Sequence, residues 1–295
     1  MKKHKMTFIM ILFFFIGLLV LLYPSISDYH NQKVQSTAIF DYEKLLNKYS
    51  DVDYANLFEN ANAYNEKLKN LTYPFQTYDT IDGYKDTLNI NNNGMMGYLT
   101  INKIKVELPI YHGTSEDVLN KAIGHVEGSS LPVGEIGTHS VLSAHRGLPS
   151  SKLFTDLDKL EIGDTFKITI LNKVLTYEID KITIVEPNKI DELKIDPSED
   201  YVTLLTCTPY GINTHRLLVR GKRLESDSIK KLYITTESFR INTLIVMPIV
   251  GIPIIFVLLI IILVKPIKNT HLKDEYLKNI KNKSKDNPEV NDEKN

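Results

Sequence analysis

Two long uncharged runs of apolar residues bracket the chain, and they constrain its topology more than any other feature. The first, TFIMILFFFIGLLVLLY at residues 7–23, comes after Lys2, Lys3 and Lys5. At about 1.5 Å per residue such a helix spans about 25 Å, a marginal bilayer crossing. A basic start before an apolar run also fits an export signal, and Ser25-Ile26-Ser27 reads as a small-residue cleavage site. Anchor and cleaved signal both stand on the sequence, and both export the residues C-terminal to the run. The second run, LIVMPIVGIPIIFVLLIIILV at 244–264, is long enough to span. Its Pro248 and Pro253 are tolerable in a membrane helix, where local adjustments satisfy the freed backbone groups. Lys265 and Lys268 come directly after it, and positive residues beside a span favour the cytoplasmic side. The expected topology places the protein in the cell membrane, with residues 24–242 outside and a solvated cytoplasmic tail at 265–295.

Charge removes one class of partner. Lysine and arginine number 35 against 36 acidic residues, a formal net charge of -1, without the basic footprint of a nucleic-acid binder. The lone cysteine, Cys207, excludes an intramolecular disulfide. Most lone cysteines are buried and inert, so only its surroundings can argue for more. No metal-ligand spacing, phosphate loop or nucleotide fingerprint stands out, so neither a metal nor a cofactor is expected.

Along the exported part the hydrophobic period changes once. Apolar residues at helical spacing predict amphipathic helices over 27–49 and 52–68. The stretch 71–95, with Pro74, Gly83, Gly94 and three consecutive asparagines, reads as a long loop, which in a compact domain is often functional. From Met96 the period is two. Strands are expected at 97–101, 106–111, 140–144, 165–171, 174–185, 201–206 and 217–220, with a tight turn at Asn172-Lys173. A helix start is expected at 114–117 and a short helix over 153–160. Many short strands with few helices argue for a closed β-barrel or a sandwich.

Cys207 ends the β-prone run YVTLLTC, and Thr208-Pro209-Tyr210-Gly211 breaks the strand after it. A thiol there is held by a rigid element and reached through a loop. A thiol attacks as thiolate, which at neutral pH is a few per cent of an ordinary cysteine. Acyl transfer also needs a histidine to protonate the leaving amine and a donor for the oxyanion. His4 and His271 flank the apolar runs and His30 lies close to the first, which leaves His112, His125, His139, His145 and His215. His145 is the best placed, at a strand-to-loop corner before Arg146-Gly147. His215 competes through its nearness to Cys207, but strand alternation turns His215 and Arg216 to opposite faces. Arg216 keeps its charge at any working pH and suits an oxyanion partner.

These residues resemble the sortase family. TLLTCTPYGINTHRLLVRG at 203–221 is similar to its TLxTC signature with the downstream arginine, HSVLSAHRG at 139–147 to its histidine motif, and 97–135 to the strands leading to it. The resemblance covers roughly residues 97–223. It implies a mainly β fold, an eight-stranded sortase-type β-barrel with an N-terminal helical extension and flanking transmembrane helices. It carries the nucleophile onto Cys207, the histidine onto His145, the arginine onto Arg216 and a substrate contact onto Thr206. The implied partners are a surface protein or pilin bearing an LPxTG-like sorting signal, and an amine acceptor, either a pilin lysine or a peptidoglycan precursor. The helical extension, the second apolar run and the wording after the cysteine look like the pilin-polymerising class C enzymes of Gram-positive bacteria. Those commonly carry an Asp-Pro-aromatic lid, and here Tyr73-Pro74-Phe75 stands in the corresponding loop with tyrosine for aspartate. The expected organisation is a signal or anchor at 1–23, helical extension and lid loop at 24–95, catalytic barrel at 96–225, linker at 226–243, transmembrane helix at 244–264 and tail at 265–295.

Overall fold

The computed structural model describes residues 2–224, 255 and 275–280. Met1–Thr236 form one compact unit and Glu237–Asn295 a second, whose described residues are helical. The second apolar run, residue 255 apart, the linker at 226–243 and most of the tail lie outside the described residues.

The first unit opens with α1 (Lys2–Leu46), a single helix of 45 residues with Pro24 inside it. Sequence periodicity separates a membrane segment from an amphipathic helix, whereas the structure joins them. Proline removes one helical hydrogen bond and crowds the preceding turn. Here Leu19, Val20, Leu21, Tyr23, Ile26 and Tyr29 are all exposed, so no packed neighbour opposes the adjustment around the ring. The stretch from Ile9 onward is long and apolar enough to cross a membrane. Helix α2 (Asp51–Lys69) starts at a capping box in which the Ser50 and Asp53 side chains each accept the other's backbone N–H. It buries Tyr54, Phe58, Ala61, Tyr64 and Leu68, a stripe at helical spacing. Two short helices come next, α3 (Pro74–Thr77) and α4 (Glu116–Leu119). The helix expected over 153–160 is only a single tight turn at Leu157–Lys159.

Eight strands close a barrel: β1 (Met95–Ile101), β2 (Val106–His112), β3 (Ile123–His125), β4 (Thr138–Ser143), β5 (Thr165–Ile170), β6 (Lys173–Val185), β7 (Asp200–Thr208) and β8 (His215–Arg223). Their order around the barrel is β1-β2-β3-β4-β7-β8-β6-β5. Strand β5 shows why these sequences pair: Phe166, Ile168 and Ile170 are buried while Thr165, Lys167 and Thr169 alternate outward. Burying one such side chain is worth roughly 1.5–3 kcal/mol. Strand β3 escapes sequence reading because its three residues are all buried and show no alternation. The β5–β6 turn sits at Leu171-Asn172, one residue earlier than the asparagine suggests. Leu171 takes φ 51°, unusual for a bulky residue, with its side chain buried. The Tyr42 hydroxyl of α1 accepts the Leu171 N–H at 2.9 Å and donates to the Met96 carbonyl at 2.9 Å, so a tertiary contact sets the register.

The barrel end that holds the starts of β4 and β7 carries a buried carboxyl. Asp200 accepts hydrogen bonds from Tyr177 Oη at 3.1 and 3.2 Å and from Thr138 Oγ1 at 3.2 Å. Desolvation pushes its pKa up from 3.8 to about 6. The folded state therefore binds this proton more tightly than the unfolded chain. The resulting stability is fully present below about pH 4 and is lost as pH rises to about 6. A shift of about two units corresponds to roughly 3 kcal/mol. Asp200→Asn, which stays neutral, is expected to flatten the fall in melting temperature between pH 4 and pH 7. An unchanged fall in the purified full chain would assign the pH dependence to other groups.

Candidate active site

Strands β4, β7, β8 and β6 lie side by side, and their registers align one row of outward side chains. The parallel β4–β7 ladder pairs Ser143 with Leu205, and the Ala144 N–H donates to the Leu205 carbonyl at 3.2 Å. Continuing that register brings His145 level with Cys207. On the other side Cys207 pairs directly with Arg216 of β8, and Arg216 with Val185 of β6. Strands in a sheet stand about 4.8 Å apart, so the backbone of Cys207 runs between those that carry His145 and Arg216. Cys207 and Arg216 face outward, and the same alternation carried two residues past β4 puts His145 on that side. Residues of opposite parity, Leu142 on β4 and Ala144 just past its end, Leu204 on β7 and Leu217 and Val219 on β8, belong to the barrel core. His145, Cys207 and Arg216 are each partly exposed.

The histidines at 112, 125, 139 and 215 lie off this row. His125 is fully buried, with its ring at 2.9 Å from both Tyr84 Oη and the Ser130 carbonyl, and desolvation lowers its pKa to about 4. His139 is held between the Lys194 carbonyl at 2.9 Å and Thr203 Oγ1 at 2.8 Å, and burial lowers its pKa. His112 Nδ1 lies 2.9 Å from the Gly94 carbonyl, and burial lowers its pKa as well. His215 is exposed and pairs with Thr208, but it shares the inward parity of Leu217, away from the thiol row.

Arg216 Nη1 lies within hydrogen-bond reach of the Asn213 and His215 carbonyls at 3.3 and 3.2 Å. Among the described residues it makes no ion pair, so no carboxylate competes for its charge. Thr206 differs from expectation. It is 1% exposed and inward, and its hydroxyl donates to the Ala144 carbonyl at 2.8 Å. Strand alternation puts it on the face opposite Cys207, so it ties β7 to the residue before His145 and offers no surface to a substrate.

The loop over 71–95 reaches this same face. Phe75 of α3 packs against a cluster of Val141, Leu193 and Leu218, together with Leu205 and Val185. Leu205 is the outward neighbour of Cys207 on β7, about 7 Å along the strand. Two glycines permit these approaches, and sequence reading passes over both. Gly128 has φ +84°, and a Cβ there would lie 2.6 Å from Phe75 Cα and from the Pro74 carbonyl. Gly147 has φ +76°, and a Cβ would meet the Tyr210 ring at 2.9 Å. The second admits the β7–β8 loop against the histidine loop, where Arg146 lies 5.8 Å from the Tyr210 ring centre and is ion-paired with Asp158. The Gly in HRG was the available sequence signal for that contact.

Comparison with known proteins bears on this constellation. Residues 99–224 match the sortase domain family. The crystal structure of sortase C1 from Streptococcus agalactiae aligns at 48% identity with a TM-score of 0.59, covering 65% of this chain and all of that one. The chain belongs to the sortase family. The X-ray structure of Clostridium perfringens sortase C with the C-terminal cell wall sorting motif aligns at 48% identity and TM-score 0.56, covering 64% of this chain and 99% of that one. Sortase D of Bacillus subtilis (strain 168) is 34% identical over 131 residues, 43% of this chain. This sortase spans 63% of that relative's length, under two thirds of it. Sortases are cysteine transpeptidases, and the single thiol of this sortase lies in the matched region.

Proposed function

We propose that this sortase is a membrane-anchored class C enzyme that cleaves an LPxTG-like sorting signal between threonine and glycine and passes the acyl group to a pilin lysine. The observation that carries the reading is the register that pairs Cys207 with Arg216 and brings His145, two residues past the end of β4, level with them. The Cys207 thiolate adds to the threonine carbonyl, and the oxyanion forms beside the Arg216 guanidinium. As the tetrahedral adduct collapses, the Thr–Gly C–N bond breaks and the His145 imidazolium gives its proton to the leaving amine. A thioester on Cys207 remains. The acceptor amine then attacks that carbonyl, neutral His145 takes its proton, the C–S bond breaks, and thiolate and imidazolium are restored. In this reading α1 is the outward anchor, the barrel is extracellular and the tail is cytoplasmic.

The relatives support the class: this sortase covers the whole of sortase C1 at 48% identity, and the Clostridium enzyme was solved with a sorting motif. The test is mass spectrometry of the full chain with an LPxTG peptide, and then a choice of acceptor. An adduct on Cys207 that is resolved by a lysine-bearing pilin domain meets the reading. Resolution by a cell-wall precursor instead makes it an anchoring sortase, resolution only by water makes it a protease, and absence of any adduct overturns it.

Tyr73, Pro74 and Phe75 act as the lid in this reading, held by Phe75 on the apolar strip beside Cys207 and not by an aspartate. A bound signal needs that strip, so the lid must leave before acylation. Losing the packing of a part-buried phenylalanine costs about 1–2 kcal/mol, a factor of about 5–30 in the open population. Phe75→Ala is expected to speed modification of Cys207 by a methanethiosulfonate by that factor. An unchanged rate would remove the lid from the mechanism.

A further inference from the structure

Helix α1 meets the barrel in a definite direction. Its first polar contacts after the apolar stretch are with the loop C-terminal to His145. Asp28 Oδ1 accepts the Lys152 N–H at 2.8 Å, and Asn31 Nδ2 donates to the Ser150 carbonyl at 2.7 Å. Gln35, only 5% exposed, donates to the Lys121 carbonyl at 2.7 Å. Lys121 lies just before β3, which runs antiparallel to β4. It therefore belongs to the barrel end where β4 and β7 finish, the end of His145 and Cys207. One helix segment further on, Tyr42 is bonded to Met96 and Leu171, which mark the opposite end.

The lengths agree with a helix lying along the barrel. Asn31 to Tyr42 is a rise of about 16 Å, the length of a five-residue strand. From Tyr23, the last residue of the apolar run, to Asp28 the rise is about 7.5 Å. Membrane helices tilt by about 20° from the normal on average, which shortens that height only slightly.

We infer that the Cys207 end of the barrel faces the bilayer and docks on the outer leaflet, with the loop over residues 148–152 at the headgroup level. The inference rests on the anchor reading of α1. The partner is a phospholipid surface, fixed by continuity: the helix that leaves the membrane grips this end first, within about two turns. The end presents fitting chemistry. Ile162, Tyr210 and Ile212 expose 69%, 59% and 68% of their surface from its turns and loops, and Lys105 and Lys121 are exposed at the same end. Tyrosine is enriched at the membrane interface, and lysine can bury its stem while its ammonium stays wet. The site then works in the interfacial layer, and it selects acyl donors and acceptors that are themselves held at the membrane.

The test uses the full chain with Cys207→Ala, reconstituted in vesicles of phosphatidylcholine and phosphatidylglycerol. Bimane is attached to Ile162→Cys, Ile212→Cys, Ile136→Cys or Leu19→Cys, and quenching by brominated acyl chains is read. Residue 136 lies just before β4 at the opposite end and is 70% exposed. Residues 162 and 212 are expected to be quenched several-fold more than residue 136, and residue 19 most of all. Equal quenching at 162, 212 and 136, with strong quenching at 19, overturns the docking and keeps the anchor. Weak quenching at 19 overturns both.

Discussion

Replacing His145 by alanine is expected to slow acylation of Cys207 by an LPxTG peptide by roughly 10²–10⁴-fold, the usual worth of a positioned general acid. The fold should survive. His145 lies past the end of β4, is partly exposed, and its carbonyl, which accepts the Phe154 N–H at 3.1 Å, is backbone and persists in the variant. The thiol keeps its place because β7 is pinned by Thr206 to Ala144, not by the imidazole. The check is stopped-flow or quenched-flow mass spectrometry of the thioacyl adduct, with the melting temperature measured alongside. Cys207→Ala gives the floor, with no adduct at all. Wild-type adduct formation in the His145 variant would pass the proton-donor role to another group, with exposed His215 the first to test.

Arg216→Lys should lower the same rate by about 10²–10³-fold, or roughly 3–4 kcal/mol. Lysine keeps the charge but loses the planar fork that reaches two acceptors from one fixed position. The guanidinium now lies near the Asn213 and His215 carbonyls and, among the described residues, faces no carboxylate. Its charge is thus free to meet an oxyanion at the paired position across the ladder. Arg216→Ala should do little worse than lysine if geometry dominates, and distinctly worse if charge alone matters. A lysine variant with full activity would take Arg216 out of the mechanism.

Much of the barrel is readable without coordinates because alternation reports which face is buried. The strands at 165–171 and 201–206 are found in this way, and β5 and β7 differ from them by no more than two residues at any edge. Alternation fails where both faces are covered, as in β3, and where a contact from afar dictates a turn, as Tyr42 does at Leu171. It also fails to say whether the strands close into a barrel or stack as a sandwich, since both bury one side of each strand. Of the site, strand-end position favours Cys207 and His145 but leaves His215 in competition, the resemblance carries the roles onto His145 and Arg216, and Thr206 shows the limit of motif reading. The resemblance implies a substrate contact there, and alternation with burial turns it inward.

The amino-acid order alone determined two apolar runs that bracket the chain, a strand-rich domain without disulfides, and a strand end bearing its one thiol. Those properties are local: each depends on residues within a couple of dozen positions. The tertiary structure decided the rest. Register across β4, β7 and β8 aligned residues 145, 207 and 216, because backbone pairing converts distant positions into one row. Gly128 and Gly147 let separate loops close on that row, because only the absence of a side chain allows such approach. The grip of Asp28 and Asn31 on the histidine loop set which barrel end the apolar helix enters, a fact carried by two hydrogen bonds between segments about 120 residues apart.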